Sequence, residues 1–189
     1  MHEFLRSTEL IDWHDPEIRA LAQRLAVHDR PYETAARCFD WVRDEISHSF
    51  DVETQLVSCT ASDTLRNRTG ICYAKSHLLA ALLRANGIPA AFGYQRLSID
   101  EAGTAFCLHG FNYVHLADHG WHPIDPRGNR AGIETRFDPP NVSLAFNIRV
   151  PGEKTFTTVF MEPLDCVVQC LRSQRTVEAL RNGLPDAEA

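Results

Sequence analysis

One cysteine, Cys72, follows a glycine-containing turn and directly precedes an apolar run that continues to Arg84. This order predicts a helix that begins near Cys72. The first N–H groups of a helix have no partner within it, and the positive end of the helix dipole lies there, so this position favours a thiolate. Further along the chain, His109 and Asp125 could complete the site. A thiolate nucleophile, an imidazole that moves a proton and a carboxylate that orients the imidazole together suit acyl transfer, and they indicate an enzyme.

Each of these three residues also has a simpler explanation. Cys72 could be a buried core cysteine, His109 a hydrogen-bonded strand histidine, and Asp125 a turn-forming residue before Pro126. If residues 118–120 form the turn of a hairpin, His109 and Asp125 lie at similar heights on its two strands. A modest offset remains, which strand twist or a bulge could absorb. Residue types and spacing alone leave both the catalytic and the structural roles open.

The segments on either side of Cys72 are predicted to be helical. An Asp-Pro helix start at 15–16 leads into helical periodicity to about residue 27, and a second start at 30–31 leads into another helix. A short helix could begin within 62–65. The Leu-rich helix that begins near Cys72 should be central and buried, and it should end where Gly87 provides a left-handed cap.

Beyond that helix the pattern changes from helical to extended, with a turn predicted at 118–120. Strands are predicted at 90–97, 110–117, 121–125 and 155–161, and two further helices at 164–171 and 174–180. Helices followed by strands predict an α+β fold with an antiparallel sheet. The length of 189 residues suits a single domain spanning 1–189.

The composition excludes several classes of function. A net charge of −6 without a basic stripe argues against non-specific nucleic-acid binding. The N-terminus lacks an apolar signal core, and no uncharged apolar stretch approaches membrane-spanning length, so we predict a cytoplasmic protein without a membrane partner. A disulfide framework is not expected from scattered cysteines in such a chain. The six are Cys38, Cys59, Cys72, Cys107, Cys166 and Cys170.

Histidines are concentrated around the predicted hairpin and raise the alternative of a zinc site. They are His115, His119 and His122, with His109 nearby. The chain has neither an HExxH motif nor a CxxC pair, so this alternative lacks the spacing that metal sites usually show. We therefore predict no metal and no cofactor, and we predict that His119 and His122 are exposed at the tip of the hairpin.

Three sequence elements strongly resemble the core motif of the transglutaminase-like superfamily. The first, at 69–90, combines the Gly-x-Cys start with the helix that ends in Arg-Ala-Asn-Gly-Ile-Pro-Ala. The second is the His-Gly-Phe-Asn string at 109–112, and the third is the Trp-His-Pro-Ile-Asp-Pro string at 121–126. The resemblance covers about residues 33–128. It differs from the common pattern at Phe111, where many members carry Trp, and at Tyr113, where Glu is common.

This resemblance implies a papain-like fold in which a central helix bearing the cysteine packs on an antiparallel sheet. It also implies Cys72 as nucleophile, His109 as general base and then acid, and Asp125 as orienting carboxylate. The implied reaction forms a thioester on an amide substrate. Because no calcium-loop motif is present, we favour peptide or amide hydrolysis over protein cross-linking. The alternatives are an amine-accepting acyltransferase and a binding module that retains the fold without turnover.

The oxyanion formed on attack needs hydrogen-bond donors. The backbone N–H of Cys72 is the predicted first donor, because amides at a helix start point outward. A second donor is expected from an upstream side chain, for which Trp41, Gln55 and Ser62 are candidates. The expected partner is a peptide or amide substrate, and the sequence does not define the oligomeric state.

Overall fold

Four α-helices occupy the first half of the chain in the computed structural model, which describes residues 1–188. They follow a short 3₁₀ turn at His2–Leu5 and are α1 (Pro16–Leu25), α2 (Pro31–Glu45), α3 (Ala61–Asn67) and α4 (Cys72–Ala85). The predicted start of α1 is confirmed, because the Asp15 side chain accepts hydrogen bonds from two N–H groups of the first turn. α3 begins with a capping box formed by Thr60 and Asp63.

Helix α4 lies at the centre of the molecule, as predicted from its leucine content. Every residue from Cys72 to Arg84 is buried, and α1, α2, α3 and the sheet all pack against the helix. A helix that is apolar on all sides is stable only when it is surrounded by protein. Gly87 follows it with a φ of 72°, which confirms the predicted left-handed cap.

The second half of the chain forms a four-stranded antiparallel sheet. Its members are β3 (Ala90–Ser98), β4 (Phe106–Leu116), β5 (Gly120–Ile124) and β6 (Lys154–Thr155), in the spatial order β5-β4-β3-β6. Two short strands, β1 (Ser47–His48) and β2 (Thr69–Gly70), pair in parallel just before α4. The α+β class predicted from the order of elements is confirmed.

The prediction of a strand over 155–161 is wrong. Only Lys154 and Thr155 pair with β3, and Phe160 then makes an isolated bridge to Phe92. If the register set by Gln95 and Thr155 continued, Phe92 would face residue 158, but it faces Phe160 instead. The segment after Thr155 therefore has two more residues than β3 over the same distance, and such an insertion interrupts the ladder of hydrogen bonds.

The C-terminal part of the described chain returns to helix, in α5 (Asp165–Ser173) and α6 (Val177–Asn182). The second helix starts three residues later than predicted, because the Thr176 side chain accepts a hydrogen bond from the N–H of Ala179 and caps it. In residues 1–188, no helix combines the length and the apolar character needed to cross a bilayer.

Close contact between α4 and β4 places the first turn of the helix beside His109. The Tyr73 hydroxyl donates a hydrogen bond to the carbonyl oxygen of Leu108. A Cβ atom at Gly110 would lie 2.8 Å from Cδ1 of Tyr73, so only glycine allows this approach. The strand residues on both sides of His109 are thus fixed to the residue that follows Cys72.

Candidate active site

Cys72 is the first residue of α4, which is where the sequence predicts it. Ile71 precedes the helix, and no side chain caps the helix start. The N–H groups of the first turn are therefore available to a negatively charged group near the Cys72 sulfur. The residue is 8% exposed, so little of it can be reached by solvent.

His109 lies between Cys72 and Asp125. Its Nε2–H donates a hydrogen bond to Oδ2 of Asp125 over 2.7 Å. The Cys72 sulfur lies next to the same ring, close enough to raise its pKa. Since Nε2 is engaged by the carboxylate, Nδ1 is the nitrogen that can exchange a proton with the thiol. The structure therefore brings the three predicted residues together in one line, with His109 5% and Asp125 0% exposed.

The carboxylate of Asp125 accepts three N–H groups in all. Oδ1 accepts the backbone N–H of Arg127 over 3.0 Å, which is the hydrogen bond of an Asx turn. Oδ2 accepts the backbone N–H of Ala145 over 2.8 Å in addition to the imidazole N–H. Asp125 thus makes the hydrogen bond of a turn and a hydrogen bond to the imidazole at the same time, and its carboxylate is held on both oxygens.

The proton of the site is strongly held by the imidazole. Burial alone would lower the pKa of His109, but the charges of Asp125 and Cys72 more than offset burial and raise this pKa to about 10. An imidazolium that faces both a carboxylate and a sulfur is the arrangement expected of a thiolate–imidazolium pair.

We expect His109 to remain protonated throughout the neutral range in the folded protein. The imidazolium should lose its proton only near pH 10, whereas a free histidine does so near 6.5. NMR titration of ¹⁵N-histidine-labelled protein measures this directly. Titration of His109 below pH 7 would contradict the proposed charge pair.

A second group of ionisable side chains lies behind the site. Arg127 is buried and forms a bidentate pair with Asp51, with an Nη2–Oδ1 distance of 3.0 Å. His48 accepts the N–H of Phe50 at Nδ1 over 3.3 Å, and burial, followed by the charge of Arg127, holds the pKa of His48 well below its usual range. His48 is therefore a neutral ring beside the Arg127–Asp51 pair.

Lys75, one turn after Cys72 on α4, is fully buried. Its ammonium donates hydrogen bonds to the carbonyl oxygens of Arg43, over 3.2 Å, and of Ile46. These groups lie at and just beyond the C-terminal end of α2, where carbonyls lack helical partners. Burial, followed by the charge of Arg127, lowers the pKa of Lys75 to about 7. The sequence signal for this residue is the single lysine of a helix rich in leucine and alanine.

The candidates for a second oxyanion donor have different surroundings. Trp41 packs against the guanidinium of Arg68, with 4.8 Å from Cζ to the ring centroid. The hydroxyl of Ser62 donates to Asp12 over 2.5 Å. Gln55 is exposed, in a cleft of about 640 Å³ that it shares with residues of α6. Trp41 and Ser62 thus have packing and hydrogen-bonding roles of their own.

The histidines of the hairpin do not form a metal site in the described part of the chain. No group of three or more His, Cys, Asp or Glu side chains within residues 1–188 has ligand geometry. His119 is exposed as predicted, but His122 is only 6% exposed, so the prediction for this residue is wrong. The backbone of Asn141, in the irregular segment after β5, lies close to the His122 ring. All six cysteines are free thiols.

Two contacts of the site come from a segment that no sequence pattern marked. The backbone N–H of Ala145 reaches Asp125, and the ring of Phe146 packs against the imidazole of His109. Both residues lie in the irregular segment between β5 and β6, in which the sequence predicts neither a helix nor a strand. Such contacts depend on where a loop folds back, and local periodicity carries no information about that.

A buried Cys–His–Asp line at the start of a central helix, on an α+β fold, defines the papain-like class of sites. The sequence from 19 to 126 matches the model of the transglutaminase-like superfamily. The match includes more than half of the chain and all three residues of the line. The chain belongs to the transglutaminase-like superfamily.

Solved structures provide further comparisons. A candidate cysteine protease from Cytophaga hutchinsonii is 20% identical with a TM-score of 0.51, over 66% of this chain and 40% of that protein. It shares the fold with this chain, which spans less than half of its length. The periplasmic domain of TgpA from Pseudomonas aeruginosa is 25% identical with a TM-score of 0.46, over 59% of this chain and 42% of that domain. No curated protein matches the sequence.

Proposed function

We propose that this protein is a cysteine-dependent acyl-transfer enzyme that forms a thioester at Cys72 on an amide substrate and then hydrolyses it. The observation that carries the proposal is the line of contacts from the Cys72 sulfur through the imidazole of His109 to the carboxylate of Asp125. In this arrangement the nucleophile lies next to the proton carrier, and the proton carrier donates a hydrogen bond to the carboxylate that orients it.

The proposed reaction has two stages that share the same groups. The Cys72 thiolate attacks the amide carbon, and the His109 imidazolium gives its proton to the departing amine as the carbon–nitrogen bond breaks. Water then attacks the thioester carbon while the neutral imidazole takes a proton from it, and the thiolate leaves. We propose that the backbone N–H of Cys72 stabilises the oxyanion in both stages, because it has no partner within α4.

Water is the acceptor that we propose, because hydrolysis needs no second binding site for an amine. The substrate class that follows is a peptide or a simple amide. An amine acceptor would use the same thioester, so the acyl-enzyme is the step common to hydrolase and transferase. Whether water or an amine accepts the acyl group must therefore be measured separately from the formation of the thioester at Cys72.

The experiment is a screen of the purified protein against peptide and glutamine-amide libraries, with and without a small primary amine, and with Cys72→Ala as control. We expect release of a free acid and an acyl adduct at Cys72 that mass spectrometry detects. Incorporation of the amine would instead favour an acyltransferase.

Labelling with iodoacetamide near neutral pH separates an enzyme from a binding module. We expect Cys72 to react faster than the other five cysteines, because it lies at a helix start beside the His109 imidazole, whereas burial raises the pKa of the other five thiols. Burial raises the pKa of Cys107 and of Cys170 to about 11, which makes these two thiols useful references. Equal labelling of all six, together with no turnover in the screen, would favour a binding module.

A further inference from the structure

The segment at 143–147 lies outside the residues that match the family model, yet it contacts two members of the candidate site. The N–H of Ala145 donates to Oδ2 of Asp125 over 2.8 Å. The Phe146 ring meets the His109 ring at 86°, with 4.9 Å between centroids. We infer that Phe146 is a positioning residue that keeps water away from the His109–Asp125 hydrogen bond and fixes the orientation of the imidazole. This inference rests on the proposed function.

The segment is attached to the sheet next to the imidazole. Gln95 stands opposite His109 in the β3–β4 pairing, and its Nε2 donates to the carbonyl oxygen of Phe146 over 3.1 Å. The same amide also donates to Oγ1 of Thr155 over 3.1 Å. Phe146 is therefore held through its own backbone by a residue whose position is fixed by the pairing with His109.

Gln95 makes an incomplete set of hydrogen bonds for a buried amide. It is 2% exposed, and its Oε1 has no hydrogen-bond partner within residues 1–188. An unpaired buried acceptor lowers the stability of the folded state. A buried amide that is only half satisfied is poorly explained by packing alone, whereas its two donated bonds hold the Phe146 backbone and tie it to β6 through Thr155.

The surroundings of Phe146 differ from those of a core phenylalanine. Its ring is only half-buried, and it is not among the residues of the hydrophobic core or packed against that core. Phe137, in the same long irregular segment, is also half-buried but packs against the core beside Phe39. Truncation of Phe137 therefore tests the loss of a similar ring without a contact to His109.

The apolar ring of Phe146 acts on the His109–Asp125 pair by excluding water, which would compete for their hydrogen bonds. Water that reaches this pair would offer alternative partners to the Nε2–H and to the carboxylate, and it would raise the local dielectric constant. A perpendicular ring against the imidazole also blocks rotation of the imidazole plane. Without the ring, the Nε2 proton should exchange with solvent more readily, and Nδ1 should face the sulfur less often.

The test is the solvent exchange of the His109 Nε2 proton, measured by NMR on ¹⁵N-histidine-labelled protein. We expect a slowly exchanging resonance in the wild type and in Phe146→Leu, which keeps an apolar cover. In Phe146→Ala the exchange should be roughly tenfold faster or more, because water reaches the hydrogen bond. Phe137→Ala should leave the resonance unchanged although it removes a ring of the same size. Unchanged exchange in Phe146→Ala, or exchange in Phe146→Leu as fast as in the alanine variant, would overturn the inference.

A second arm measures turnover in the same variants. We expect Phe146→Ala to lower kcat by roughly tenfold with little change in KM, since the ring acts through His109, and Phe146→Leu to restore most of the rate. An equal loss of rate in Phe137→Ala would overturn the inference, because a general loss of packing would then explain both. Absence of turnover in the wild type would count against the proposed function, whereas the exchange measurement needs no substrate and tests Phe146 independently.

Discussion

Replacement of Cys72 by alanine, and separately of His109 by alanine, is expected to abolish measurable turnover while the protein remains folded. In the proposed reaction neither residue can act without the other, because the imidazole holds the proton that the thiolate needs to have lost. Each loss should be on the order of 10³-fold or more in kcat. For the same reason, the double variant should be about as slow as either single variant. Steady-state kinetics of the three variants measure this, with circular dichroism as the test of folding.

Cys166→Ala is the matched control for the cysteine change, because this half-buried thiol lies on α5 and has no contact with His109. Its rate should equal that of the wild type. A double variant much slower than either single one would mean that Cys72 and His109 contribute independently. Retained turnover in Cys72→Ala would remove the cysteine from the mechanism altogether.

Asp125→Asn should cause the second large effect, roughly a 10²- to 10⁴-fold fall in kcat. The carboxylate accepts three N–H groups on two oxygens, from His109, Arg127 and Ala145. An amide has one oxygen, so either orientation of its NH₂ group faces an N–H donor. If the NH₂ faces His109, the imidazole must turn its lone pair to the amide and can no longer accept a proton from the sulfur at Nδ1. The pKa of His109 should fall as well, since a charge that raises it is lost.

The matched control for this change is Asp100→Asn. Asp100 also accepts several loop hydrogen bonds, including the N–H groups of Thr104 and Ala105 over 3.0 and 3.1 Å, but it lies in the turn between β3 and β4. The Asp100→Asn variant should be less stable than the wild type, but its kcat should be unchanged. A wild-type rate in Asp125→Asn would restrict Asp125 to the turn before Pro126 and leave another group to orient His109.

Local sequence signals predicted the parts of the fold that local chemistry determines. The Asp15 cap, the Gly87 cap and the apolar surface of α4 each depend on a few neighbouring residues, and each is found as predicted. The strand predicted over 155–161 failed for the opposite reason. Its composition suits a strand, but pairing with β3 requires a continuous register, and two extra residues break it. Composition does not reveal such an insertion.

In the candidate site, too, residues within local motifs could be predicted, and residues brought in by a distant segment could not. Cys72, His109 and Asp125 could be found because each lies within a short motif. Phe146 and Ala145 could not, because they reach the site through a loop that folds back from about twenty residues beyond Asp125. His122 illustrates the reverse error. Its position near a hairpin turn suggests exposure, but it is buried and lies close to the backbone of Asn141.

The buried lysine on α4 and the imidazole that faces Cys72 have opposite effects on proton uptake during folding. His109 binds its proton more tightly in the folded chain, with a pKa of about 10 against 6.5, so its contribution to stability is present below pH 6.5 and is lost as pH rises towards 10. Lys75 has a folded pKa of about 7 against 10.5, so over pH 7 to 10.5 the unfolded chain binds the proton that the folded chain lacks. The contribution of Lys75 to stability therefore increases with pH over that range.

Between about pH 7 and pH 10 these two linkages have opposite signs and similar size, so one proton gained at His109 offsets one lost at Lys75. Unfolding in this window should exchange almost no net protons at the two groups. In this window the proton that His109 takes up on folding thus offsets the proton that the buried amine, one turn from the thiol-bearing end of α4, gives up. In His109→Ala the contribution of His109 is lost and that of Lys75 remains. This variant, designed to test catalysis, should therefore also become more stable as the pH rises from about 7 to 10.5.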